Sequence, residues 1–408
     1  MRQQRDFLRI WTGQIVSNLG DGVNRVAVLW WARQATGSNV VVVMVALASV
    51  LPTLAAAPLA GWLVDRFPRR LLMLAADAVR VLTSAGLAAA IWGGVMSTWL
   101  VIAVSIVAAA AAAVFDPALL ASVTLLVAAE QRAQANSMLG VSGALAGILG
   151  PAVGGLMIGL AGTASALWLD AGSFVVSFAL VALSRIPMPE RAAGADDDGS
   201  MAAGWRVVRS NRSVRDLVVV TAGLNLCVAP VTVLIVGLAA GPLRLGGRGF
   251  GFLEATIPLG VVAGFLIAPK VVGVTRAAVV ALLATGGGIA LSGAAPWAWW
   301  AGVAFVLAGV GVGVANTILP TRFQESVEPA VQGRVFSLVG ALGSAGRPIG
   351  LLLAAPMIAV AGVRGALAVC GLGLAAVAWA GRAGLSAANA PIVPATSLPE
   401  HTQVLAGS

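Results

Sequence analysis

From Trp99 to Phe115 the chain reads WLVIAVSIVAAAAAAVF, without a charge. Comparable apolar runs recur along the sequence between short polar connectors, and they are continuous rather than alternating. A bilayer core of roughly 30 Å takes about 20 apolar helical residues, so each run is long enough to cross it. Membrane-spanning strands would alternate, which excludes a β-barrel. A soluble fold is excluded too. With 408 residues, 59% hydrophobic and 10% charged, most apolar side chains would still meet water. The chain is therefore expected to be an all-α membrane protein.

Apolar runs read against breakers place twelve transmembrane spans at about 8–32, 40–62, 71–92, 97–119, 136–160, 165–185, 214–239, 250–271, 276–294, 297–319, 335–360 and 364–384. The polar stretch 186–212, with Pro187, Pro189 and the acidic run Asp196–Asp198, separates six spans from six. The expected organisation is an N-terminal six-helix bundle over 1–185, a cytoplasmic linker over 186–212, a C-terminal six-helix bundle over 213–384 and a disordered cytoplasmic tail over 385–408. Pro117, Arg132 and a Gly/Pro-rich span 5 are echoed by Pro320, Arg334 and a Gly/Pro-rich span 11. Two pseudo-symmetric bundles able to rock about a central cavity are the geometry of a transporter.

The charge distribution orients the chain. With the N-terminus inside, only Arg33, Arg244, Arg248 and Arg364 fall outside and only Arg25, Arg80 and Arg347 fall within spans. The remaining Lys and Arg are cytoplasmic, as the positive-inside rule requires. The net charge of +9 is thus topogenic and implies no nucleic-acid partner. Tryptophans including Trp30, Trp31, Trp92, Trp99 and Trp168 collect at expected outer span ends, where an interfacial belt belongs. His401, the single histidine, lies in the tail, and no metal site can be assembled. Cys227 and Cys370 lie within apolar runs and are expected to be buried thiols.

Gln14, Asn18, Asp21 and Arg25 fall at i, i+4, i+7 and i+11, one face of span 1. A charge near mid-bilayer costs about 2.5–3.5 kcal/mol even on lenient scales, so this face must meet protein or water. Either Asp21 and Arg25 pair within the helix and fix span 1, or the stripe lines a cavity where Asp21 exchanges a proton or meets cargo. Asp77 and Arg80, at i and i+3 in span 3, most simply pair with each other. Arg347 needs an acid, and Glu254 is the candidate in its own half.

The connector between spans 2 and 3, GWLVDRFPRR, resembles the loop motif of the major facilitator superfamily through Gly61, Leu63, Asp65, Arg66, Arg69 and Arg70. Pro68 stands where that family usually has glycine; proline cannot take a positive φ, so the turn must be built differently. FLRIWTGQIVSNLGDGVNRVA, LLMLAADAVRVL, FDPALL and ALWLDAGSFVVSFAL are similar to the drug and siderophore exporters of that superfamily, the macrolide-efflux and enterobactin-export branch. Span 5 carries GPAVGG (Gly150, Pro151, Gly154, Gly155), which resembles the end of the antiporter motif, although its upstream glycines are absent.

The resemblance implies that Arg69 pairs with Asp116 and that Asp65 caps span 11, together closing a cytoplasmic gate. It also implies that spans 1, 4, 7 and 10 line the cavity, which makes Asn225, Asn316 and Thr317 candidates beside the span 1 stripe. The expected function is alternating-access export of a hydrophobic or amphipathic small molecule, a drug, macrolide or siderophore, by proton antiport. The proton gradient would supply the energy without a cofactor, from a monomer in a bacterial plasma membrane with both termini cytoplasmic. A nutrient importer or uniporter on the same fold, or a non-transporting receptor, is the alternative. With no nucleophile–base pair, the chain is not expected to be an enzyme.

Overall fold

The computed structural model describes residues 2–128, 131–187, 212–271, 274, 276–326 and 339–386. Ten long helices run through them: α1 (Arg2–Thr36), α2 (Asn39–Arg66), α3 (Arg69–Trp92), α4 (Thr98–Leu126), α5 (Arg132–Ala182), α6 (Arg212–Ala240), α7 (Gly247–Val271), α8 (Ala277–Gly293), α9 (Ala298–Ser326) and α10 (Gly346–Ser386). Eight helices among the described residues are long and apolar enough to cross a membrane, and Ala277–Gly293 is a shorter apolar helix. α1 is outside that set because its polar stripe dilutes the apolar run. Most of the predicted linker and tail lies outside the described residues.

At 51 residues α5 is far longer than one crossing needs. It breaks at Gly162, with φ 83° and ψ 171°, and α10 breaks in the same way at Gly362, with φ 67° and ψ 174°. Only glycine enters this region of backbone space without strain, so each break reverses the chain with no loop. Both fall in the connectors expected between 160 and 165 and between 360 and 364. The turn between α2 and α3 is built as Pro68 demands: Phe67 is extended and Pro68 sits at φ −56° and ψ 121°.

Within the first half, α1 and α3 pack on α5, and α2 and α3 on α4; within the second, α6 packs on α10, α7 on α9, and α8 on α9 and α10. The halves touch mainly through α5 with α7 and α2 with α10. The apolar core follows the same division. One cluster joins both halves, holding Trp30, Val42, Leu167, Leu234, Phe250, Phe305 and Leu367. Two others stay within single halves: one around Phe7, Met73, Phe115 and Val181, the other around Val214, Leu282, Ile318 and Leu374. Among the described residues the core is thus fused at one end of the molecule and forked at the other.

Small residues set the fused end. A Cβ on Gly155 would stand 2.6 Å from the Gly251 Cα and 2.7 Å from the Gly247 carbonyl oxygen, so α5 and α7 meet backbone to backbone. Trp30, 5% exposed, stacks on Phe250 with ring centroids 5.5 Å apart. This corrects its assignment to the interfacial belt: it is a core residue between halves. Trp92, Trp99 and Trp297 are exposed as a belt residue must be.

Candidate functional site in the fork between the halves

A cavity of about 360 Å3 lies where the fork begins, walled by α1 to α5 and by α6 and α10 from the other half. Its charged lining comes from Asp21 and Arg25 of α1, Arg80 of α3, Asp170 of α5 and Arg347 of α10. The remaining surface is mostly apolar or small, including Val28, Leu29, Val45, Val50, Ala109 and Leu351.

Helix α3 supplies the central cation. Arg80 Nη2 donates to both carboxylate oxygens of Asp21. Its guanidinium lies over the Phe174 ring, 4.0 Å from the centroid. The Arg80 side chain is 7% exposed, whereas that of Asp21 is 44% exposed toward the cavity. Arg80 is thus a buried counter-charge held in place by an aromatic face, and Asp21 is the member of the pair that solutes can reach.

Behind this pair lies a second layer. Asp170 Oδ2 accepts from Asn24 Nδ2 at 2.6 Å and from Ser84 Oγ at 2.6 Å, tying α1, α3 and α5 together. Its Oδ1 has no partner although Asp170 is fully buried. Asp77 accepts from Ser177 Oγ at 2.7 Å and likewise keeps one oxygen unpartnered. Asp116 lies on the exposed side of α4, close enough to Arg80 and Asp21 for their charges to act on it.

This geometry corrects several expectations. Asp21 and Arg25 do not pair within α1: Asp21 turns to Arg80, and Arg25 Nη2 reaches Glu254 Oε2 of α7 at 3.5 Å. Asp77 and Arg80 do not pair within α3 either, because the guanidinium engages both oxygens of Asp21 and stacks on Phe174. Glu254, expected to serve Arg347, is thereby committed across the halves, and Arg347 lines the cavity without an ion partner among the described residues. Gln14 Nε2 donates to Asn18 Oδ1 at 2.7 Å, so the upper stripe is internal packing, while its continuation at Asp21 and Arg25 faces the cavity.

The connector motif is organised differently from the expected gate. Arg69 Nη1 donates to the Ala121 carbonyl of α4 at 2.6 Å, and no Arg69–Asp116 ion pair forms. The cause is register: Asp116 lies more than a turn from Ala121 on α4, toward the Arg80 cluster. Arg70 donates to the Ala182 carbonyl at the end of α5, and Arg66 covers the Trp62 ring at 5.3 Å. Asp65 and Gly61 are exposed. The start of span 11, where Asp65 was expected to dock, lies outside the described residues.

In span 5, Gly150 meets Gly22 of α1 and Gly154 meets Val23, while Gly155 faces the other half, so GPAVGG is a packing seam. Asn225 and Asn316 line a separate cavity of about 230 Å3 between α6, α9 and Val339–Gly340. Thr317 donates back to the Gly313 carbonyl at 3.1 Å. Asn24, Ser84 and Ser177 were not singled out in the sequence. Their only signal is a polar side chain within an apolar span.

Similarity to known proteins agrees with this architecture. Macrolide efflux protein A of Streptococcus pyogenes is 26% identical over 361 residues, covering 86% of this chain and 88% of that protein. The multidrug efflux pump Tap of Mycobacterium tuberculosis is 29% identical, covering 86% of each chain. The enterobactin exporter EntS of Escherichia coli is 30% identical over 58% of this chain and 57% of its own. Among solved structures, the nucleoside transporter NupG superposes with a TM-score of 0.72 at 12% identity, over 93% of this chain and 99% of that one. The family description "Major Facilitator Superfamily" matches residues 10–351. On that match the chain belongs to the Major Facilitator Superfamily and is a multi-pass membrane transporter rather than an enzyme.

Proposed function

We propose that this protein exports a hydrophobic or amphipathic small molecule by alternating access, exchanging it for protons at Asp21. The observation that carries the reading is the asymmetric pair: a cavity-exposed Asp21 bonded to a buried Arg80. An ionised Asp21 binds Arg80; a protonated one gives up most of that attraction. Arg80, fixed over Phe174, is then drawn toward the remaining acids, Asp170, Asp77 and Asp116, all within its electrostatic reach. Proton uptake at Asp21 thereby changes what holds α1 against α3 and α5, the helices that form one wall of the fork. Cargo entering the same cavity competes for the same pair.

The forked core supplies the motion. Opening the fused end must separate Trp30 from Phe250, Gly155 from Gly251 and Arg25 from Glu254, while the forked end closes. The efflux proteins among the relatives favour export over import. The test is efflux of a drug and siderophore panel from cells expressing the protein, with and without a protonophore. Protonophore-sensitive efflux supports the reading, and accumulation of the panel would favour the importer instead.

A further inference from the structure

The proposed cavity leaves one kind of charge unmet. Three charged side chains face its open space: Asp21, Arg25 and Arg347. Asp21 is satisfied by Arg80, and Arg25 by Glu254. Arg347 has neither an ion pair nor a hydrogen bond among the described residues, and it is exposed on the α10 wall. Asp170 also belongs to the lining but is fully buried and turned to Asn24 and Ser84. Asp116 and Asp77 act on Arg80 from the first half, and among the described residues no acid comes within ion-pair distance of Arg347.

From this we infer that the cavity selects amphiphiles carrying an anionic group, such as a carboxylate, whose charge docks on Arg347 while its apolar body rests on the Ala108–Ala112 face of α4 and on Leu351. A guanidinium presents a planar fork matched to two oxygens and stays charged under all cellular conditions. The placement also links cargo to the moving parts. Arg347 belongs to the second half and the proton-exchanging pair to the first, so an anion seated on Arg347 lies against the wall that Asp21 and Arg80 hold.

The inference rests on the cavity being the cargo site, and the test separates the two. Purified protein in lipid nanodiscs is titrated with a matched aromatic set: 1-naphthylacetate, 1-naphthylacetamide and 1-naphthylmethylamine. Wild-type protein should bind the carboxylate at least tenfold more tightly than the amide or the amine. Arg347→Gln should erase that preference without weakening the amide, and Arg347→Lys should keep part of it. A preference for the amine, or an undiminished carboxylate preference in Arg347→Gln, overturns the inference. Leu351→Trp, which fills the cavity, should weaken all three probes. Unchanged binding of all three in that variant would instead overturn the placement of cargo in this cavity.

Discussion

Arg25 of α1 and Glu254 of α7 form an ion pair of 3.5 Å that spans the two halves of the chain. It joins helices far apart in sequence, and it sits beside the backbone contact between Gly155 and Gly251. The Glu254 side chain is 6% exposed and keeps Oε1 unpartnered, whereas Arg25 is 46% exposed at the cavity. The pair therefore links the two halves at the fused end.

Glu254→Gln should favour opening of that end while leaving overall stability within about 1 kcal/mol, because a half-exposed partner is worth roughly that much. The corresponding change in population is about fivefold. Spin labels at Gln34 and Arg244, both exposed near the fused end, should report longer distances in the variant. An unchanged distance distribution would remove the pair from the closure.

Adding a single methyl group at the seam should act in the same direction. In Gly155→Ala the new Cβ meets the backbone of α7, which cannot move aside as a side chain can. Overpacking of this kind costs about 1–3 kcal/mol. Gly154→Ala should instead strain α1 against α5, since its Cβ meets Val23 within the same half at 3.0 Å. The same spin labels should therefore separate in the first variant and not in the second.

Trp30→Ala should lower thermal stability by about 3–5 kcal/mol, the usual range for a buried aromatic. Trp99→Ala, at an exposed position, should change it little. Detergent melting curves of the two variants decide whether Trp30 belongs to the core or to the lipid interface.

Much of the fold was legible in the sequence because the bilayer imposes a length and a hydropathy on each span. The breaks at Gly162 and Gly362 fall between predicted spans, and the polar stripe of α1 does face protein and cavity. The charge partners were not legible. Local spacing favours Asp21 with Arg25 and Asp77 with Arg80, since neighbours one turn apart can always meet. Packing overrides that choice. With α1 and α3 both laid on α5, Arg80 reaches both oxygens of Asp21 and the face of Phe174 together, which no partner on its own helix offers. Glu254 could not be assigned because its partner lies across the interface between halves, which no spacing rule reaches.

Asp170 separates a structural acid from its titratable proton. In Asp170→Asn the side-chain oxygen can still accept from Asn24 and Ser84, so stability should change by less than about 1 kcal/mol. Asp170→Ala strands both donors and should cost about 1–3 kcal/mol. Equal melting temperatures for the two would contradict the role of Asp170 in tying α1, α3 and α5 together.

The central claim is that Asp21 carries the exchanged proton. Proteoliposomes holding a pH-sensitive dye report proton movement when 1-naphthylacetate, or whichever probe of the naphthyl set binds most tightly, is added as cargo. Wild-type protein should move protons on cargo addition. Asp21→Asn should still bind the probe but move protons at least tenfold more slowly, and Asp21→Glu should recover part of the rate. Cargo-driven proton movement at the wild-type rate in Asp21→Asn would contradict the account.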